Sequence, residues 1–320
     1  MFGRMLNNFY YGKSGKGDYG RDDLPKNRWQ LFREMLRIRL AGLFRLNLMT
    51  ALIFLPLMYV LLVLFNTLLN HLIAVSDALS VQTDSARELL QGSPQTVYSI
   101  LFSGFLLLIP CIAVTGPFQA GMAYVTRNWA RDEHAFVWAD FKDAVKANFL
   151  QALGVSAITG IVPLIMLVCW QFYGDMAKGS VLFIIPQMLT LALGLVWALA
   201  LVFIYPMMVG YKMGFGTLLR NGFLLAVGRL PQAAVVRLAT LLPTLLALLV
   251  AFFTPYWMAA LMALCGYYLL IGNGLARFMF ASFTNAVFDR FINTRIEGVP
   301  VNRGLAEEED DEDSLEGGNP

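Results

Sequence analysis

Residues 238–276 read LATLLPTLLALLVAFFTPYWMAALMALCGYYLLIGNGLA, a run without Asp, Glu, Lys or Arg. A helix needs about 20 apolar residues to cross roughly 30 Å of hydrocarbon, so this run is too long for one span and long enough for two. Thr254-Pro255-Tyr256, near its middle, reads as a tight turn and splits it. Four more runs lack charged side chains, at 46–76, 89–126, 147–174 and 179–211. The predicted spans are therefore 46–72, 98–124, 150–173, 181–209, 234–253 and 256–282. The fold class is all-α, a polytopic membrane protein with six transmembrane helices.

The basic residues agree with that count. Of 24 Lys and Arg, only Arg87 and Lys178 fall in segments that six spans place outside. The other basic residues fall in residues 1–45, in the stretches 127–146 and 212–237, and from Arg277 onward. Basic residues are retained on the cytoplasmic side, so both termini are predicted inside. The net charge of +2 thus combines a basic inner face with an acidic run from Glu307 to Asp313. The basic side chains read first as orientation signals and headgroup contacts. Nucleic acid is not an expected partner, because no basic cluster is interleaved with exposed aromatics in a folded module.

Residues 1–27 are expected to be a flexible cytoplasmic arm, 28–290 a six-helix membrane domain, and 291–320 a disordered acidic cytoplasmic tail. No cleavable signal peptide is expected, since the first apolar run follows 45 polar and basic residues. Cys111, Cys169 and Cys265 lie within spans and read as packing residues. His71 and His134 have no partners at metal-ligand spacing, so no metal or cofactor is expected. Gly15-Lys16-Gly17-Asp18-Tyr19-Gly20 fits a dinucleotide-loop pattern but lacks the strand and helix that would make it one. The spans carry no ionisable side chain except near their ends. Such groups usually mark proton and ion pathways. No loop has room for a soluble catalytic domain, and the chain is not read as an enzyme.

Two amphipathic helices are predicted at the inner interface. In 28–45, with Asn27 as a candidate cap, Trp29, Phe32, Leu36, Leu40 and Leu43 share one side. In 136–149, Val137, Trp138, Phe141, Ala144 and Val145 share another. An outer loop is predicted at 74–96. A weak internal repeat joins Pro117-Phe-Gln-Ala-Gly121 to Pro206-Met-Met-Val-Gly210, and Gln151-Ala152 to Gln232-Ala233. Spans two–three and four–five would then be parallel repeats. Ala152, Ser156 and Gly160 form one small-residue ridge, and Gly210 with Gly214 another.

From Thr115 to Leu153 the ordered set Gly116-Pro117, Gly121, Arg127, Arg131, Trp138-x-Asp140-Phe141 and Asn148-Phe149-x-Gln151-Ala152 resembles the YesL-like family of bacterial membrane proteins, whose activity is not established. Members are commonly encoded near sugar importers in Gram-positive bacteria. The resemblance implies a bacterial cell-membrane protein that assists or regulates carbohydrate uptake, with the bilayer and sugar-importer subunits as partners. Gly116, Pro117, Gly121, Arg127, Arg131, Trp138, Asp140 and Phe141 are then candidate contact or motif residues. The alternative is a small-solute transporter or channel acting alone. Its cavity would be lined by Asn66, Asn70, Gln119, Gln171 and Gln187, although such amides also serve as helix-to-helix hydrogen bonds.

Overall fold

Asn27, extended at φ −145°, accepts a hydrogen bond from the backbone N–H of Gln30 at 2.9 Å and starts helix α1, Arg28–Leu79. The computed structural model describes residues 24–81 and 83–306. The N-terminal glycine pattern, most of the arm and the run Glu307 to Asp313 lie outside the described residues. The helices that follow are α2 (Asp84–Trp129), α3 (Val137–Ala147), α4 (Phe149–Ala177), α5 (Ile184–Gly210) and α6 (Phe215–Gly228). Then come α7 (Leu230–Phe253), α8 (Trp257–Tyr267), a π turn (Tyr268–Gly272) and α9 (Asn273–Phe291). Six helical segments are long and apolar enough to cross a bilayer, and the chain is an integral, multi-pass membrane protein. The turn at Thr254-Pro255-Tyr256 separates α7 from α8, as the sequence predicts.

The first two spans are longer than predicted. Helix α1 has 52 residues, or about 78 Å at 1.5 Å per residue, more than twice the hydrocarbon thickness. The segment 28–45 is continuous with the span and has no break at its end. Its inner side carries Leu31, Met35, Leu43 and Leu46, while Trp29 and Leu40 are exposed. The stretch 74–96 is not a loop. Helix α1 runs on to Leu79, Thr83 caps α2 through the Ala86 N–H, and His71 Nε2 lies 3.0 Å from Ser93 Oγ across the hairpin. Among the described residues, the only break in this polar stretch falls between Leu79 and Asp84, and Pro94 sits within α2.

Packing is uneven along the bundle axis. Buried side chains concentrate in 31–54 of α1, 115–129 of α2, 197–208 of α5 and 274–289 of α9. This half carries α3 and α6 and most of the described basic residues, and is called the basic end below. Towards the opposite, hairpin end the helices expose apolar side chains such as Leu52, Leu107, Ile185, Leu193 and Met262. An apolar surface of that extent suits lipid contact. Helix α2 is central and packs on α1, α3, α4, α5 and α9.

The ridge Ala152, Ser156 and Gly160 packs on α2. Ser156 Oγ donates to the Ala113 carbonyl at 2.7 Å, and a methyl on Gly160 would stand 2.9 Å from Ile109 Cα. The second predicted ridge does not form. Helix α5 ends at Gly210, and Gly214 is exposed with no neighbour around its missing side chain.

The two helix joints share one geometry. Helix α3 meets α4 through Asn148 (φ −112°, ψ 13°), and α6 meets α7 through Arg229 (φ −125°, ψ 31°). In both joints the hinge N–H donates four residues back and its carbonyl accepts from four ahead. Asn148 bonds Ala144 and Ala152, and Arg229 bonds Leu225 and Ala233. These pairs share the offset of Gln151-Ala152 to Gln232-Ala233. The Pro-x-x-x-Gly motifs are offset by eight residues more. Helix α2 uses them to run two further turns past Gly121 to Trp129, whereas α5 stops at Gly210.

Candidate functional site

The polar groups of the basic end form a connected plate. Asp289, buried near the end of α9, accepts from Arg28 Nη2 and, at 3.2 Å, from the Asn302 N–H. Its other oxygen accepts from Asn293 Nδ2 at 2.6 Å. Asn293 in turn accepts from the Tyr211 hydroxyl at 2.6 Å, and Arg28 also reaches Asn302 Oδ1 at 2.8 Å. Burial pushes the Tyr211 phenol above its ordinary pKa, against the pull of the Arg127 guanidinium. The network ties the start of α1 to the end of α9, to the connection after α5 and to the segment that follows α9.

That segment is ordered through residue 306, although it was expected to begin the disordered tail. It crosses the basic end as a strap. Arg131 Nη2 lies 3.5 Å from the Pro300 carbonyl, Glu133 binds both Arg131 and Arg303, and the Ala306 N–H reaches the Pro25 carbonyl at 3.0 Å.

The motif residues are placed as follows. Gly116 and Pro117 are buried where α2 crosses α4. A Cβ on Gly116 would coincide with Ser156 Oγ and the Ala152 carbonyl, so no larger residue fits without separating the helices. Gly121 does the same for α3: a Cβ there would stand 2.7 Å from Phe141 and Val145. Phe141 is buried, 6.4 Å from the Phe118 ring. Asp140 Oδ2 accepts from the Phe136 N–H at 2.8 Å, so it caps α3 and is held by its own helix. Trp138 is 66% exposed and Phe136 69%. Trp129, at the end of α2, is a core residue behind Gly42.

Arg127 lines a cavity of about 710 Å³ with Tyr211, Lys212, Asn221, Phe291 and Val299. Its buried Nε has no partner, and its guanidinium makes no hydrogen bond or ion pair among the described residues. A neighbouring cleft of about 430 Å³ shares Gly210, Tyr211 and Lys212, and is walled by Asp140, Asp143 and Asn148.

The five amides do not converge. Asn66 and Asn70 are exposed on α1, and Gln171 is exposed and bonds Asp175 at 3.1 Å. Gln187 is buried and donates to the Trp170 carbonyl at 3.1 Å, joining α5 to α4. Gln119 donates to Thr115 Oγ1 at 2.7 Å and accepts from Arg277.

Arg277 lies near the end of the predicted span 256–282, where ionisable side chains are excepted, and is held among the helices. The sequence assigns it to the inner segment, but it follows the π turn by five residues and lies between Gln119 of α2 and Tyr205 of α5. Its guanidinium stacks 4.4 Å from the Tyr205 ring centre, and Arg237 approaches the shared Phe280 ring at 5.7 Å. Neither arginine has a carboxylate partner among the described residues, so aromatic faces and Gln119 stand in for one.

Sequence reasoning missed Asp289, Asn293, Tyr211 and Asn47. Asn47 is fully buried; its amide donates to the Tyr268 and Leu269 carbonyls at 2.8 and 2.7 Å, and accepts from the Gly274 N–H at 2.9 Å. An Asn in the first turns of an apolar run was the available signal.

Residues 96–170 match the family DUF624, described as a protein of unknown function. The match covers most of α2, all of α3 and most of α4, the crossing built on Gly116 and Gly121. It contains the stretch that carries the YesL-like resemblance. No curated protein and no solved structure matches the chain. Among the described residues, no group of three or more His, Cys, Asp or Glu is placed to hold a metal ion.

Proposed function

We propose that the protein is an accessory or regulatory membrane component that works through contacts at its basic end, associated with a sugar importer of the bacterial cell membrane. One observation carries the reading: Trp29, Phe136 and Trp138 are exposed at the braced, cation-rich basic end, while the amides that would line a solute route lie apart. Aromatic and arginine side chains are favoured where protein surfaces meet. The link to carbohydrate uptake comes from the YesL-like resemblance. Non-enzymatic action and a cytoplasmic basic end belong to the same reading, the latter supported by charge asymmetry.

A carrier acting alone is the second reading. A cavity of about 420 Å³ between α1 and α2 carries Thr67, Thr96, Ser99 and Ser103. All four hydroxyls donate to carbonyls of their own helices, so they offer a solute only acceptors.

Orientation is tested by single cysteines in a cysteine-free background. Gly179→Cys, in the exposed turn after α4, is expected to react with an impermeant thiol reagent in intact cells, and Glu297→Cys only after lysis. Labelling of position 297 in intact cells would reverse the orientation. The function is tested by crosslinking in native membranes, followed by flux measurements in liposomes. Trp138→Ala, which removes no buried contact, is expected to abolish co-purification of importer subunits with the melting point unchanged. Sugar flux through the purified protein alone, lost in Gln119→Ala, would refute the accessory reading.

A further inference from the structure

We infer that the cavity beside Arg127 binds the anionic phosphate headgroup of a membrane lipid. The cavity has a cationic end and apolar walls. Arg127 and Lys212 stand at the polar side with the Asn221 amide, and no carboxylate is among the lining residues. Leu224, Leu225, Phe291 and Val299 form the rest. About 710 Å³ is within the range of small-molecule sites.

The charge balance at this end favours an anion. Glu133 is shared by Arg131 and Arg303, and Asp289 is bound by Arg28. That leaves Arg127 without an ion-pair partner among the described residues, near the like charge of Arg131 and the already shared Glu133. Guanidinium groups with free donors suit phosphate oxygens, which accept charge-assisted hydrogen bonds. Gly210 makes the room: a methyl there would stand 3.1 Å from Arg127 Nε and push the guanidinium aside. Asp140 and Asp143 line only the adjoining cleft, so an anion is directed to the Arg127 side of Lys212.

The walls select a lipid over a soluble phosphate. Leu224, on α6, is 60% exposed, so the apolar side of the cavity continues onto the surface of a short amphipathic helix beside two spans. An acyl chain can leave along that surface while its phosphate stays at Arg127.

The test uses the full chain, delipidated in detergent and offered dioleoylphosphatidylglycerol or dioleoylphosphatidylcholine, with bound lipid counted by native mass spectrometry. Wild type is expected to retain the anionic lipid about tenfold better, the effect of one charge-assisted contact. Arg127→Gln is expected to erase the preference. Lys212→Gln, at an exposed side chain without partners among the described residues, is expected to reduce it several-fold and keeps the test valid if Arg127→Gln misfolds. Arg220→Gln, exposed on the same end but outside the cavity, is expected to leave it unchanged. Equal retention of both lipids by wild type would overturn the inference. So would an Arg220→Gln loss as large as that of Arg127→Gln. Displacement of the lipid by glycerol phosphate at matched concentration would assign the site to a soluble phosphate and overturn the lipid assignment.

Discussion

Asn47→Leu is expected to destabilise the protein by about 2 kcal/mol or more, because it takes the side-chain partner from the Leu269 carbonyl and the Gly274 N–H, at about 1–3 kcal/mol each. The Asn47 amide serves both, and it also bonds the Tyr268 carbonyl, which keeps the Asn273 amide at 3.4 Å. They need this service because residues 268–272 form a π turn, whose wider spacing takes them out of the ordinary helical ladder. Leucine matches asparagine in shape but offers neither donor nor acceptor, and a bundle core holds no bulk water to replace them. Thr50→Val is the control. Thr50 bonds only groups of its own helix and the Met122 sulfur, so its loss is expected to cost about 1 kcal/mol or less. Reversible denaturation in mixed micelles measures both.

The variant has one escape, and it is observable. If the π turn relaxes to α-helix, one residue of slack disappears and α9 rotates by about 100° against the bundle. Arg277 would then leave Gln119 and the Tyr205 ring. A stable Asn47→Leu protein with Gln119 and Arg277 still close enough to crosslink as a cysteine pair would show that Asn47 does not hold the turn.

Local pattern explains what the sequence disclosed. The six spans, the turn at Pro255, the short helix 137–147 and the repeated joints rest on apolar run length, proline and periodicity, all read within a few turns of chain. Run length shows where a helix can be buried in lipid, not where it ends. Helices α1 and α2 therefore extend past the hydrocarbon through polar residues that form helix equally well. The plate was illegible for a different reason. Arg28 and Asp289 are 261 positions apart, and nothing local marks either as the other's partner. Arg277 was misplaced because charge counting assigns a residue to the nearest end of an apolar run, whereas its partners, Gln119 and Tyr205, are distant in sequence. Among the motif residues, Gly116, Gly121 and Phe141 serve packing and Asp140 serves a cap. Trp138 and Arg127 keep free surface or free donors, and function is sought there.

Asp289→Ala is expected to cost about 3 kcal/mol, near the lower end for removing one partner of a buried pair, since Arg28 keeps a quarter of its side chain exposed. The carboxylate satisfies Arg28, the Asn293 amide and the Asn302 N–H together. Its loss leaves two donors without an acceptor and the Arg28 guanidinium with Asn302 Oδ1 alone. Asp289→Asn keeps the shape and one acceptor and is expected to cost about half as much. A double-mutant cycle with Arg28→Gln should return a coupling of about 1–3 kcal/mol, as for residues in one network. The effect should also be local. Asn302 belongs to the strap, so releasing it is expected to speed trypsin cleavage at Arg295 and Arg303 while cleavage in the α1–α2 hairpin, at Arg87, is unchanged. Ile296 and Val299 of the strap wall the Arg127 cavity, so the same substitution opens that cavity. Weakened lipid retention in Asp289→Ala, with Arg127 intact, would follow from an opened wall. Unchanged melting together with unchanged cleavage at Arg303 would show that the strap is held by Arg131 and Glu133 without Asp289.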